Sequence, residues 1–283
     1  MHMAVMGNID NISLFCKTVP IMKALCVNKF IAGIFLVTVL VFSGCASSHN
    51  RDMLMAVTWQ QNSGEYTALC HQAFNVGRAH LLALDAAGKK AVVLDIDETV
   101  LDNSPYAAWM IKTESPWSNE SWEAWCFDAR AEAVPGARDF TLFAAESGFE
   151  VFYVSNRPVS VTAATVRNLA ELGFPMADEQ HVLLMDKTSD KNLRFESIRK
   201  LGYEIVLHAG DNFDDFDGTI RKASNEERKS WGVENAASFG TYYIVLPNAA
   251  YGTFESALQS GYYSLPPEGK ATARVESIRA WEP

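Results

Sequence analysis

Four carboxylates fall within one short stretch, VVLDIDETVLDN at residues 92–103: Asp95, Asp97, Glu98 and Asp102. Like charges set this close repel one another, so the stretch demands a positive partner. A second acidic group, GDNFDD at 210–215, contributes Asp211, Asp214 and Asp215. Carboxylates brought together from two such segments make an oxygen-rich site for a hard cation. Mg2+ suits it, because it binds through one or two carboxylates, waters and a phosphate oxygen. Lys191 and the Ser155–Asn156 turn add positive potential for an anion. With cation and lysine screening a bound phosphate, one carboxylate can attack phosphorus and a second, two residues on, can protonate the leaving oxygen.

This chemistry needs elements that bring the residues together. Five short apolar runs rich in β-branched and aromatic residues predict strands at 91–95, 149–154, 181–185, 204–208 and 241–246. Helical spacing predicts helices at 53–86, 136–147, 161–172, 191–201, 214–230 and 269–281. Strands without polar alternation, interleaved with helices, imply a parallel sheet covered on both faces. In such sheets the ligand sits beyond the carboxyl ends of the strands. Strand one delivers Asp95 and Asp97, strand two Ser155-Asn156-Arg157, strand three leads to Lys187 and Lys191, and strand four delivers Asp211 to Asp215. Residues 103–135 break the rhythm. They hold Trp109, Trp117, Trp122 and Trp125, four of the chain's seven tryptophans, and read as an insertion over that edge of the sheet.

Taken singly, these residues have plainer readings. DIDET could open a calcium loop, but positions six and twelve, which want Gly and Glu, hold Val100 and Tyr106. Ser155 alone reads as a helix cap and Lys191 alone as a surface lysine. Trp125 reads as core. His71 and His80 read as helix-face residues, and His181 and His208 as hydrogen-bonded sheet histidines without catalytic part. The ordered set, each member after an apolar strand, is what carries chemistry.

DIDET, VSN, Lys191 and GDNFDD, in this order, resemble the four motifs of the haloacid dehalogenase (HAD) superfamily. More narrowly, LDIDETVLDNSPYAAW, VFYVSNR, MDKTSDKNLRF, GYEIVLHAGDNFDDF and LPNAAYGTFESAL resemble the bacterial class C acid phosphatases of the lipoprotein e type. The resemblance spans about residues 60–281. It implies a three-layer α/β/α Rossmannoid fold with a five-stranded, mainly parallel sheet and a small helical cap. It also implies a Mg2+-dependent acid phosphomonoesterase of 5′-nucleotidase type, acting on nucleoside monophosphates or nicotinamide mononucleotide, with one Mg2+ per subunit and a homodimeric assembly. Carried over residue by residue, Asp95 would be the nucleophile. Asp97 would be general acid and base, its backbone carbonyl a metal ligand. Asp211 would be the third ligand, with Asp215 supporting. Ser155, Asn156 and Lys191 would hold the phosphoryl group, Lys191 being preferred over Lys187. Trp122 and Tyr251 would clamp a flat substrate ring. A haem- or nucleotide-binding surface lipoprotein without turnover is the alternative, and a phosphotransferase using the same aspartyl-phosphate is a third reading.

The amino-terminal segment reads as an export signal. Lys23 and Lys29 precede the apolar run Phe30–Phe42, which is shorter than the ~20 residues of a membrane span, and Ser43-Gly44-Cys45 follow. FSGC resembles a lipobox, making Cys45 the expected lipidation site. Residues 1–44 are then a signal peptide whose first 21 residues could be a misassigned start before Met22, 45–52 a lipidated tether, and 53–283 the catalytic domain. Outer-membrane anchoring is the expected address, with the lipid as the membrane contact. A net charge of −10 argues against a nucleic-acid polymer as partner. Cys70 and Cys126 could be paired or free.

Overall fold

The computed structural model describes residues 52–282 apart from Ala86. The predicted signal peptide and the lipidation site at Cys45 lie outside the described residues. Among the described residues, no helix is long and apolar enough to cross a membrane.

Two helices lead in, α1 (Leu54–Asn62) and α2 (Gly64–Leu82). The periodicity at 53–86 predicts one helix, but Ser63 divides it. Its extended backbone stops α1, and its Oγ accepts from the Tyr66 amide at 3.1 Å to cap α2. β1 (Lys90–Leu94) follows as the central strand, almost wholly buried. A short ribbon pairs β2 (Leu101–Asp102) with β3 (Glu132–Ala133), and between them stand α3 (Ser104–Thr113) and α4 (Asn119–Asp128). The sheet then alternates with helices: α5 (Ala137–Glu146), β4 (Glu150–Pro158), α6 (Thr162–Glu171), β5 (Val182–Met185), α7 (Asn192–Lys200) and β6 (Glu204–Gly210). α8 (Asn225–Glu234), β7 (Tyr243–Val245), α9 (Thr253–Ser256) and α10 (Pro267–Ser277) complete the chain.

The sheet order is β5-β4-β1-β6-β7, with every pairing parallel. Side chains of a strand alternate between faces, and the core divides accordingly. Val92 and Leu94 pack with Phe74 and Leu81 of α2, Phe140 of α5 and Leu169 of α6. Ala91 and Val93 face the opposite way, onto Phe195 and Ile198 of α7. Helices therefore cover both faces, which is what the unbroken apolar strands require.

The predicted helix at 214–230 is the main departure. Residues Phe213–Asp215 and Gly218–Lys222 form 3-10 turns, and only Asn225–Glu234 is α-helical. The physical reason is local capping. Asn212 and Asp215 form a capping box around the first turn, and Ser224 and Glu227 form another that starts α8 afresh. Cys70 and Cys126 are both buried free thiols. Burial pushes Cys70 up to about 11 and Cys126 up to about 12, so both are held as neutral thiols.

The two sheet histidines part ways. His181 binds Glu150 at 2.8 Å and Asp178 at 2.7 Å. His208, read as hydrogen-bonded, keeps a bond to the Asp215 backbone, but its buried Nδ1 has no partner. It stands among the rings of Phe195, Tyr242 and Tyr243, and burial holds it neutral, down to about 3. At His181 burial opposes the charge, but the hydrogen bonds the ring donates to Glu150 and Asp178 outweigh it and raise the pKa. A raised folded pKa stabilises fully below the unfolded value, near 6.5, and the gain fades as pH rises through the folded value. His181→Gln is therefore expected to lower the melting temperature in mildly acid buffer and to matter less in alkaline buffer. The pairs are worth only roughly 0.2–1 kcal/mol each, because solvent screens them. Melting curves of both proteins across pH check this.

Candidate active site

The carboxyl ends of β1, β4 and β6 converge as the strand order requires. The Asp95 amide bonds the Ala209 carbonyl at 2.9 Å, which carries the β1–β6 pairing up to the first acid of the cluster. Lys191 is 2% exposed at the start of α7. Its Nζ bonds Asp95 Oδ1 and lies 2.7 Å from Asp215 Oδ1. Lys187 stays exposed, so backbone placement separates two lysines that sequence spacing leaves close. Asn248, from the loop after β7, donates to Asp211 Oδ2 at 2.8 Å. Asp95, Asp211 and Asp215 bring carboxylate oxygens within 4.8 Å of one another.

This crowding has an electrostatic consequence. Burial pushes Asp95 up to about 7; Lys191 pulls it down, while Asp215 and Asp97 add to the rise. Burial, then Asp215 and Asp95, hold Asp211 well above the usual carboxylate range. Burial also raises Asp215, against the pull of Lys191. One ammonium does not neutralise three crowded carboxylates, two of them buried and Asp211 half-buried. An all-oxygen donor set with surplus negative charge fits a hard divalent cation.

Gly210 makes the geometry possible. A Cβ there would lie inside van der Waals distance of the Asp215 side chain. Gly210→Ala is expected to displace Asp215, cost about 1–3 kcal/mol of stability and cut turnover. Thermal melts beside phosphate-release assays check both.

Asp97 is partly buried and its carboxylate is fully engaged. Ser155 Oγ donates to Oδ2 at 2.9 Å; Arg157 Nε and Asn103 Nδ2 donate to Oδ1 at 2.8 and 2.9 Å. Arg194 donates to the Ser155 carbonyl and, at 2.6 Å, to Asn156 Oδ1. Glu98 adopts a left-handed backbone, φ 57°, and turns its buried carboxylate to accept the Asn103 amide at 2.7 Å. The Trp122 ring packs edge-on to Tyr106 and lies 5.6 Å from the Arg157 guanidinium, while Tyr251 is exposed. Among the described residues no ring contact joins Trp122 and Tyr251.

Several of these residues escape sequence reasoning. Asn103 precedes a helix and reads as a cap; Asn248 lies in a turn-rich segment and reads as a turn. Arg157 and Arg194 stand beside motif residues, but nothing in the sequence shows what their guanidinium groups touch. Trp125 reads as core, yet its Nε1 donates to Asn103 Oδ1 at 2.8 Å.

This architecture has known relatives. The profile of the HAD superfamily, subfamily IIIB (acid phosphatase), matches residues 42–254, and the chain belongs to that family. Two solved structures of the class C acid phosphatase from Bacillus anthracis, one with tungstate bound, are similar to it. Each is 36% identical and covers 82% of this chain and 99% of its own, with TM-scores of 0.77 and 0.78. Acid phosphatase 1 from Solanum lycopersicum is 25% identical over 140 residues, 47% of this chain. Stem 31 kDa glycoprotein from Glycine max is 26% identical over 137 residues. The chain spans about half the length of these two curated relatives, 54% of each.

Proposed function

We propose that the protein is a metal-dependent acid phosphomonoesterase that works through an aspartyl-phosphate on Asp95. The observation that carries this reading is the cluster of Asp95, Asp211 and Asp215, with Lys191 paired to Asp95 and Asp215 and with Asp97 two residues from the nucleophile. The three carboxylates would hold the cation, and the Asp97 backbone carbonyl would join them. Mg2+ suits these donors and, when bound, offsets the charge of the cluster and of a phosphate.

The chain's own residues supply the rest. Lys191 orients Asp95 and shields its carboxylate from the phosphate oxygens. Arg194 occupies Asn156 Oδ1, which leaves the amide N–H groups of Asn156 free to donate to the phosphoryl group. Ser155 Oγ stands beside Asp97 and can turn to the same anion. Asp95 forms the new O–P bond as the ester O–P bond breaks, and Asp97 gives its proton to the departing alkoxide. Water then attacks the acyl phosphate, Asp97 takes back a proton, and inorganic phosphate leaves with Asp95 restored. The tungstate in the Bacillus anthracis structure is a tetrahedral oxyanion like phosphate, and it supports an anion site in this family.

Trp122 and Tyr251 would flank a flat ring, which favours nucleoside monophosphates or nicotinamide mononucleotide over simple alkyl esters. Export through a signal cut before Cys45 belongs to the same proposal, supported by the apolar run and the FSGC stretch. Phosphate release from a panel of monoesters, with Mg2+ and with EDTA, tests it. Metal-dependent release that favours aromatic nucleotides is expected. No release from any ester by folded, metal-loaded protein would overturn it and turn attention to haem and nucleotide binding.

A further inference from the structure

The side chains around Asp97 form a hub reaching into the insertion. Asn103 donates through Nδ2 to Asp97 Oδ1, and its Oδ1 accepts from Arg157 Nη2 at 3.1 Å and Trp125 Nε1 at 2.8 Å. Its backbone amide is fixed on Glu98. Arg157 is 1% exposed and spans Asp97, Asn103 and Thr165. The orientation of the Asn103 amide follows from these donors. Were the amide turned over, its NH2 group would face the N–H groups of Trp125 and Arg157, and its oxygen would face the Asp97 carboxylate. Both arrangements are repulsive. The indole N–H therefore helps fix which way Asn103 points, and with it one of the three donors holding Asp97.

We propose that Trp125, acting through Asn103, is a positioning residue for Asp97. An acid that must deliver a proton to a leaving oxygen works only within a narrow geometry, and that geometry is set by the groups holding its carboxylate. Trp125 lies on α4, and among the described residues its hydrogen-bonded link to Asp97 runs through Asn103. The inference rests on Asp97 being the general acid, as proposed above.

Leaving-group dependence tests it. An alkyl ester needs a proton on its leaving oxygen, whereas 2,4-dinitrophenolate departs without one, so a misplaced acid penalises the first far more. Trp125→Phe keeps an aromatic ring in the site but removes the N–H together with the indole's second ring; the lost packing falls on both esters alike, and the lost N–H on the ratio. The ratio of kcat/KM for an alkyl monoester to that for 2,4-dinitrophenyl phosphate is expected to fall about tenfold, roughly the loss of one buried hydrogen bond. Asn103→Leu is expected to move the ratio the same way, and adding Trp125→Phe to it to cost nothing further. Should Trp125→Phe fold poorly, Trp125→His, whose smaller ring can still present an N–H, replaces it, and an unchanged ratio in Asn103→Leu overturns the proposal in any case. An equal loss on both esters, or an unchanged ratio, would overturn the proposal. Asp97→Asn separates it from the reading beneath it. If that variant leaves the ratio unchanged, Asp97 is not the acid and both readings fall. If it lowers the ratio while Trp125→Phe and Asn103→Leu do not, only the present inference falls.

Discussion

Replacing Asp95 by asparagine is expected to abolish phosphate release, by at least about 10⁴-fold, while the protein stays folded. The amide has nearly the shape of the carboxylate but cannot form an acyl phosphate, and no neighbouring carboxylate replaces it. Asp211 and Asp215 are turned into the cation cluster, and Asp97 is held by Ser155, Arg157 and Asn103. Stability is expected to move the other way. Burial pushes Asp95 up to about 7, above the unfolded carboxyl near 3.9, so the fold disfavours its ionised form. That cost sets in as pH rises above the unfolded value and is complete above the folded one. Asparagine carries no such cost. In EDTA at neutral pH, Asp95→Asn is therefore expected to melt no lower than the parent, and the gap is expected to close in acid. Activity and stability at this position oppose each other. Phosphate release and melting curves on the same preparations read both.

Removing the lysine is expected to do the reverse. At Lys191 burial works against the charge, but Asp215 and then Asp95 outweigh it and raise the pKa, so the ammonium stays protonated throughout the working range. Lys191→Met leaves buried carboxylates without their ammonium. Breaking a buried pair in this way costs about 3–5 kcal/mol, because the partner charges remain uncompensated. A divalent cation bound to the same cluster offsets part of that cost. The variant is thus expected to gain more melting temperature from Mg2+ than the parent does, since ligand that binds only the folded state stabilises by mass action. Turnover is expected to fall about 10²–10³-fold even with metal present, as for loss of one preorganised charge beside the transferring group. Melting with Mg2+ and with EDTA separates the structural part from the catalytic part. Equal metal responses in parent and variant would show that Lys191 and the cation do not share the cluster.

What the sequence shows and what it hides divide along physical lines. The strands are legible because buried parallel strands are continuous apolar runs, as in Ala91-Val92-Val93-Leu94, and the polar residues that follow each run mark the sheet edge where ligands bind. Asp95, Asp97, Ser155, Asn156 and Asp211 stand directly after such runs, whereas Lys191 is named in preference to Lys187 only through the family resemblance. The helix at 214–230 misleads because Asp214 and Asp215 look like dipole-stabilising acids in a first turn, whereas Asn212 and Ser224 each start a separate turn. The Ser224–Glu227 capping box was legible and outranks the longer periodic pattern. Asn103 and Trp125 lie 22 residues apart, and nothing in sequence pairs a cap-like asparagine with a core-like tryptophan. Asn248 is further still from Asp211, 37 residues, and only the return of the chain after β7 brings them together. His208 stays hidden for the opposite reason: an unpartnered imidazole nitrogen breaks the rule by which a buried histidine is read.

The central claim is that Asp95 carries the phosphoryl group between ester and water. Rapid acid quench during turnover, followed by mass analysis of the peptides, tests it most directly. The account requires the peptide bearing Asp95 to gain one phosphoryl group that hydroxylamine removes, as it does from an acyl phosphate, and requires no gain in Asp95→Asn. Turnover of the parent with no phosphorylated Asp95 at any quench time, or label on another residue, would contradict it.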